Sequence, residues 1–104
     1  MITLRDRARA LENRYAFEQT LQFRAEARRN KLLGLWAGQL LGKDNPIAYA
    51  EEFAIWAVEN PNDQHLLNRL RDEFAAAEVR FDEVDLAGRL NQMLAEVLED
   101  MRAD

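Results

Sequence analysis

Apolar residues recur along this chain at three- and four-residue spacings, and no stretch sustains the alternation of a half-buried strand. Four helical segments follow from that periodicity. The first runs from about Thr3 to Leu41 and contains no Pro, and no Gly before Gly34. Thr3 is placed to cap it, with Asp6 three residues on as an acidic version of the capping box. Gly42, followed by Lys43-Asp44-Asn45-Pro46, ends it. Asn45 as N-cap and Pro46 as first helical residue open the second segment, with Ile47, Ala50, Phe53, Ala54 and Ala57 as its apolar stripe. The turn cluster Asn60-Pro61-Asn62-Asp63 leads into the third, where Leu66, Leu67, Leu70, Phe74 and Ala77 recur. The fourth starts at Asp82, with Phe81 and Leu86 at the positions of a hydrophobic staple. Leu86, Leu90, Met93, Leu94, Val97 and Met101 form its buried face. Short links predict antiparallel neighbours, so the expected fold is all-α, an antiparallel four-helix bundle.

The first segment is too long for its partners. At 1.5 Å per residue it would span roughly 58 Å, and helices of 14 or 15 residues cover less than half of that. Leu4, Ala8, Leu11 and Tyr15 form one stripe, while Phe17, Leu21, Ala25, Leu32 and Leu35 form another, offset by roughly 100°. The first stripe is therefore expected to face something other than the core. Residues 1–17 read as a mobile N-terminal arm, flexible or nascent-helical, and 18–104 as the bundle. An isolated helix of about 15 residues is marginal in water, which suits a segment that folds onto a partner. Burying Ile2, Leu4, Leu11 and Tyr15 would contribute roughly 6–12 kcal/mol. Ordering about 14 residues from a random chain costs as much or more. Pre-formed helix, or contacts from Arg7 and Arg14 to a partner's carboxylates or carbonyls, must make up the difference. A fraying extension without a partner remains the alternative.

Charge sharpens the division. Residues 1–31 carry eight cations against four anions, a balance of +4, whereas 32–104 carry six against fifteen, a balance of −9. A basic arm precedes an acidic body. Such arms bind nucleic acid or acidic protein surfaces, unless the mixed signs merely pair along a solvated helix.

Arg28-Arg29-Asn30-Lys31-Leu32-Leu33-Gly34-Leu35-Trp36-Ala37 passes from a cationic edge into an apolar stretch. Read structurally, the cations are solvated, Trp36 anchors the core, and Trp36→Ala should cost roughly 3–5 kcal/mol. Gly34 costs about 1 kcal/mol against Ala in a helix, which points to close approach of another helix, with the fourth as candidate. The functional alternative is an anion site at Arg28, Arg29 and Lys31, although no glycine loop precedes a helix start there.

Composition removes several chemistries. The 104 residues contain no cysteine and one histidine, His65, so thiolate chemistry and paired imidazoles are excluded. His65 falls in the first turn of the third helix. Adjacent carboxylates such as Glu51-Glu52 and Glu99-Asp100 point different ways on a helix and do not form acid–base pairs. No enzyme activity, metal or cofactor is expected. No apolar run approaches roughly 20 residues, and the N-terminus lacks a secretory pattern, so a soluble intracellular protein is expected.

The decapeptide Arg28 to Ala37, with Phe23-Arg24-Ala25-Glu26-Ala27 before it, resembles the alphaproteobacterial zeta-subunit family of F-type ATP synthase inhibitors. Asp6-Arg7 and Ala10-Leu11-Glu12-Asn13-Arg14-Tyr15-Ala16 fit the same pattern, and the resemblance spans the whole chain. Phe17, Tyr15, Leu11 and the Asn62-Asp63 turn depart from the commonest residues. Arg28, Arg29, Asn30, Lys31, Gly34 and Trp36 form the structural signature of the resemblance. It implies a four-helix bundle whose N-terminal arm enters a catalytic interface between α and β subunits of the synthase head. There the arm folds as a helix and blocks ATP hydrolysis. Leu4, Leu11 and Tyr15 would be the buried contacts, with Arg7 and Arg14 as polar anchors. The protein would be a monomer when free, cytoplasmic, and peripheral to the inner membrane through the synthase. Two rivals remain: nucleic-acid binding by the basic arm, which the acidic body opposes, and a helical adaptor whose arm binds some other protein.

Overall fold

The computed structural model describes residues 2–103. Its regular elements are four helices: α1 (Leu4–Leu40), α2 (Pro46–Glu59), α3 (Asp63–Ala76) and α4 (Glu83–Ala103). Their starts lie where the side-chain chemistry puts them. The Thr3 hydroxyl accepts the Asp6 amide at 3.1 Å, and the Asp6 carboxylate accepts the Thr3 amide at 3.2 Å. Asn45 accepts from the Ala48 amide, Asn62 from Gln64, and Asp82 from Val84 and Asp85. Each side-chain oxygen satisfies an amide that has no partner inside its helix. At the end of α1, Gly42 takes φ +70°, its amide donates to Gln39, and Lys43 donates to Gly38, so two terminal carbonyls are satisfied at once. α3 ends similarly with Glu78 at φ 59°, and Val79 behind it packs on the core.

Contacts fix the running directions. Gly34 lies against Ala50 and Phe53, and Gly38 against Pro46 and Tyr49, so α2 returns along α1. Arg69 pairs with Glu52 and Tyr49 donates to Glu73, so α3 opposes α2. Arg29 touches both Asp63 and Leu90, and Arg71 pairs with Glu83, so α4 opposes α3. Arg89 lies over Trp36 and Arg102 meets Glu18, which runs α4 back along α1. The core joins Leu33 and Ala37, Phe53 and Ala57, Leu66, Leu70 and Phe74, and Leu86 and Leu90.

Several expectations require correction. α1 buries Ala25, Arg29, Leu33, Gly34, Ala37 and Gly38, not the line through Phe17, Leu32 and Leu35. Phe17 and Leu32 are exposed, as are Ile47 on α2 and Ala77 at the end of α3. Small residues, which carry little hydrophobic signal, form the buried face of α1 because α2 approaches its backbone closely. A Cβ on Gly34 would stand 3.0 Å from the Ala50 Cα and the Phe53 Cβ, so the close neighbour of Gly34 is α2 rather than α4. Trp36 is half-buried and packs on the rim of the core, edge-on to Phe74 at 5.8 Å.

The offset between the two α1 stripes also disappears. At about 100° per residue, Leu4, Leu11, Tyr15, Arg29 and Leu33 fall within about 20° of one line. The leading stripe thus points to the same side as the core line, and it is bare because α1 outruns its partners. Residues 2–20 are all exposed. The described residues extend 65 Å along their long axis and 26 Å across. The leading segment is continuous helix from Leu4, not a disordered chain. The physical reason is propagation. The packed half of α1 already supplies the nucleus, the segment lacks Gly and Pro, and the Thr3–Asp6 box closes its far end.

Candidate functional site

The leading third of α1 carries large apolar side chains that none of the described residues covers. Leu4 is 83% exposed, Leu11 66% and Tyr15 68%. Spacings of seven and four residues keep them on one side of the helix. Arg7 and Arg14 are exposed and lie one heptad apart along one edge of that stripe. The five residues expected to bind a partner therefore share one continuous projecting surface. Phe17, 64% exposed, faces away from the stripe. The arm begins where α4 ends: Arg102, near the C-terminus of α4, lies 3.4 Å from Glu18.

The signature residues separate instead of converging. Arg29 is buried, and sequence reasoning placed it with the solvated cations. Its Nη2 lies 2.8 Å from Asp63 Oδ1, Nη1 donates to the Leu90 carbonyl at 3.3 Å, and Nε donates to Asn30 Oδ1 at 2.7 Å. One guanidinium thereby ties α1 to the start of α3 and the middle of α4. The only hint in the sequence is the i, i+4 spacing of Ala25, Arg29, Leu33 and Ala37. Its partners are 34 and 61 residues away and carry no local signal. Arg28 and Lys31 are exposed and face away from Arg29, so the three cations do not form an anion site. Asn30 is half-buried beside Arg29, Gly34 is sealed against α2, and Trp36 lies under the Arg89 guanidinium at 4.5 Å.

A polar network covers the α2–α3 seam. Arg69 pairs with Glu52 at 2.5 Å and Glu73 at 3.3 Å, and stacks 4.7 Å from the Trp56 ring centre. Burial and the bond to Glu73 push the Tyr49 hydroxyl well above the ordinary phenol range. Burial lowers Arg69, but the bond to Glu52 and the field of Glu73 carry it above its usual value. These groups are occupied with one another and brace the seam. His65 is exposed in the first turn of α3, where the sequence puts it. A concavity of about 630 Å³ lies between α1 and the start of α4, bordered by Trp36, Phe81 and Arg89, and no arm residue lines it.

The geometry is that of a helical body with a projecting amphipathic, basic helix. A family model described as ATPase inhibitor subunit zeta matches residues 1–100. The chain belongs to that family. Among curated proteins, none matches. Membership makes the chain a regulatory subunit that associates with an ATP synthase, and the match includes both the projecting arm and the helical body. Among the described residues of this zeta-family chain, no helix is long and apolar enough to cross a membrane.

Proposed function

We propose that residues 1–17 are the inhibitory element, and that they enter an interface between α and β subunits of the synthase head and stop ATP hydrolysis there. The observation that carries this reading is the bare stripe of Leu4, Leu11 and Tyr15 on a helix that outruns its partners. A stripe of this kind has no role in the body's own stability, and its i, i+7, i+11 spacing suits insertion into an apolar groove. Arg7 and Arg14 would reach carboxylates or carbonyls along the groove's edge. The body, read as an antiparallel four-helix bundle, would remain outside as a bulky stop.

Helicity in the free arm lowers the cost of docking. A random 14-residue segment would lose about 1–2 kcal/mol of backbone freedom per residue. An arm already propagated from α1 keeps most of that ordering within its own fold, so more of the apolar burial appears as affinity.

Deleting residues 1–17 tests the reading in an ATPase assay on the cognate synthase head. Inhibition should vanish, while the melting of the body stays close to that of the full chain and helical signal falls only by the arm's share. A truncated protein that still inhibits would move the active surface onto the body. Binding to the head without any effect on hydrolysis would favour an adaptor role.

A further inference from the structure

Positive charge on this molecule is sorted by whether it has a partner. Beyond α1, Arg69, Arg71 and Arg102 are ion-paired, Lys43 and Arg89 lie over aromatic rings, and a single cation, Arg80, is exposed with neither kind of contact among the described residues. On α1, Arg29 is paired and buried. The other seven cations of α1 are Arg5, Arg7, Arg9, Arg14, Arg24, Arg28 and Lys31. All are exposed, and none forms an ion pair among the described residues. Four of them belong to the arm. Arg24, Arg28 and Lys31 do not, because they sit on the part of α1 that packs against the body.

These three share one face. At about 100° per residue they fall within an arc of about 60°, opposite the buried line through Arg29 and Leu33. Arg24 and Arg28 are four residues apart, and Arg28 and Lys31 three, so the helix brings like charges together. Each such pair destabilises a helix by about 0.2–0.5 kcal/mol. No ion pair among the described residues offsets that cost. Arg7 and Arg14, at the edge of the arm's stripe, lie about 70–90° round the helix from the centre of this face.

We propose that Arg24, Arg28 and Lys31 form a second contact surface, which meets an acidic protein face on the synthase head beside the cleft that takes the arm. The inference rests on the arm-docking reading, because one continuous helix carries both surfaces to the same partner. The acidic body, at −9 for residues 32–104, opposes nucleic acid as the partner. Charges outside a desolvated groove act mainly on encounter, guiding the arm toward its cleft and setting the association rate.

Association of the full chain with the purified cognate head, followed across ionic strength, tests this. The variants are Arg24→Glu, Arg28→Glu and Lys31→Glu together, and the milder triple exchange to Gln should reversal impair folding. The reversed protein should associate roughly tenfold or more slowly at low salt, with a flatter salt dependence. Its dissociation rate and the inhibition reached at saturation should stay close to wild type. Wild-type rate and salt slope in both variants would overturn the surface while leaving the arm reading intact. A wild-type chain that does not bind the head would overturn both. The surface would also be reassigned if the exchanges left head association unchanged but abolished binding to phosphatidylglycerol vesicles, to duplex DNA, or to a second copy of this chain.

Discussion

The two ends of α1 are one helix in two environments. Leu4, Leu11 and Tyr15 line up with Arg29 and Leu33, yet the first three are bare and the last two are sealed. The difference lies in the neighbours: α2 turns back through Pro46–Glu59, α4 ends near Glu18, and none of the other described elements accompanies the leading segment. Pattern alone states that a face is apolar. Where the partners end decides whether that face becomes core or interface. Side-chain size separates the halves as well. The packed half uses Ala25, Gly34, Ala37 and Gly38 to admit a helix already in place, while the projecting half presents Leu and Tyr, which none of the described residues covers.

The sharpest way to break this comparison is in the projecting half. Leu11→Asp combined with Tyr15→Asp removes two side chains worth about 1.5–3 kcal/mol each on burial. Inhibition of the synthase head should weaken by roughly a hundredfold or more. Thermal unfolding should stay close to wild type, and a large fall in melting temperature would mean that the stripe packs within the chain.

In the packed half the effects reverse, appearing in stability. Asp63→Ala leaves the buried Arg29 without its charge partner and should cost about 2–4 kcal/mol by denaturant unfolding. Partial exposure of Asp63 keeps the loss at the lower end for a broken buried pair. Gly34→Ala forces a Cβ to 3.0 Å from the Ala50 backbone. The strain of about 1–3 kcal/mol should exceed the roughly 1 kcal/mol of helix propensity gained. Gly88→Ala, where nothing lies within 4 Å, should instead stabilise by up to about 1 kcal/mol. Equal responses at the two glycines would refute the close approach of α1 and α2.

The smallest effect is alkaline. Tyr49 holds its proton more tightly folded than unfolded. As pH rises past the ordinary phenol value near 10, the unfolded chain releases that proton first, so stability declines from there upward. Tyr49→Phe should flatten that limb of the pH–stability curve.

Much of the fold was legible from local chemistry. Thr3 with Asp6, Asn45 with Pro46, Asn62 and Asp82 mark the helix starts, because capping depends on residues a few positions apart. The unburied arm was legible from length, although the supposed turn between stripes was not its cause. The sequence alone points to a solvated Arg29, because a charged side chain is seldom sealed and its partners on α3 and α4 are distant in sequence. The buried face of α1 is hidden from the sequence because leucines at 32 and 35 outweigh alanines and glycines in any hydrophobic pattern. Ile47 shows the converse error, an apolar residue at helical spacing beyond the edge of contact.

The Thr3–Asp6 box stands at the start of the projecting helix, far from α2, α3 and α4. By closing that end against fraying it fixes the distance from tip to the Glu18–Arg102 contact at about 22 Å. On the docking proposed above, a probe of set reach, mounted on a body too wide to follow it, would measure depth: the receiving cleft would be penetrated only until the shoulder at Glu18 met its rim.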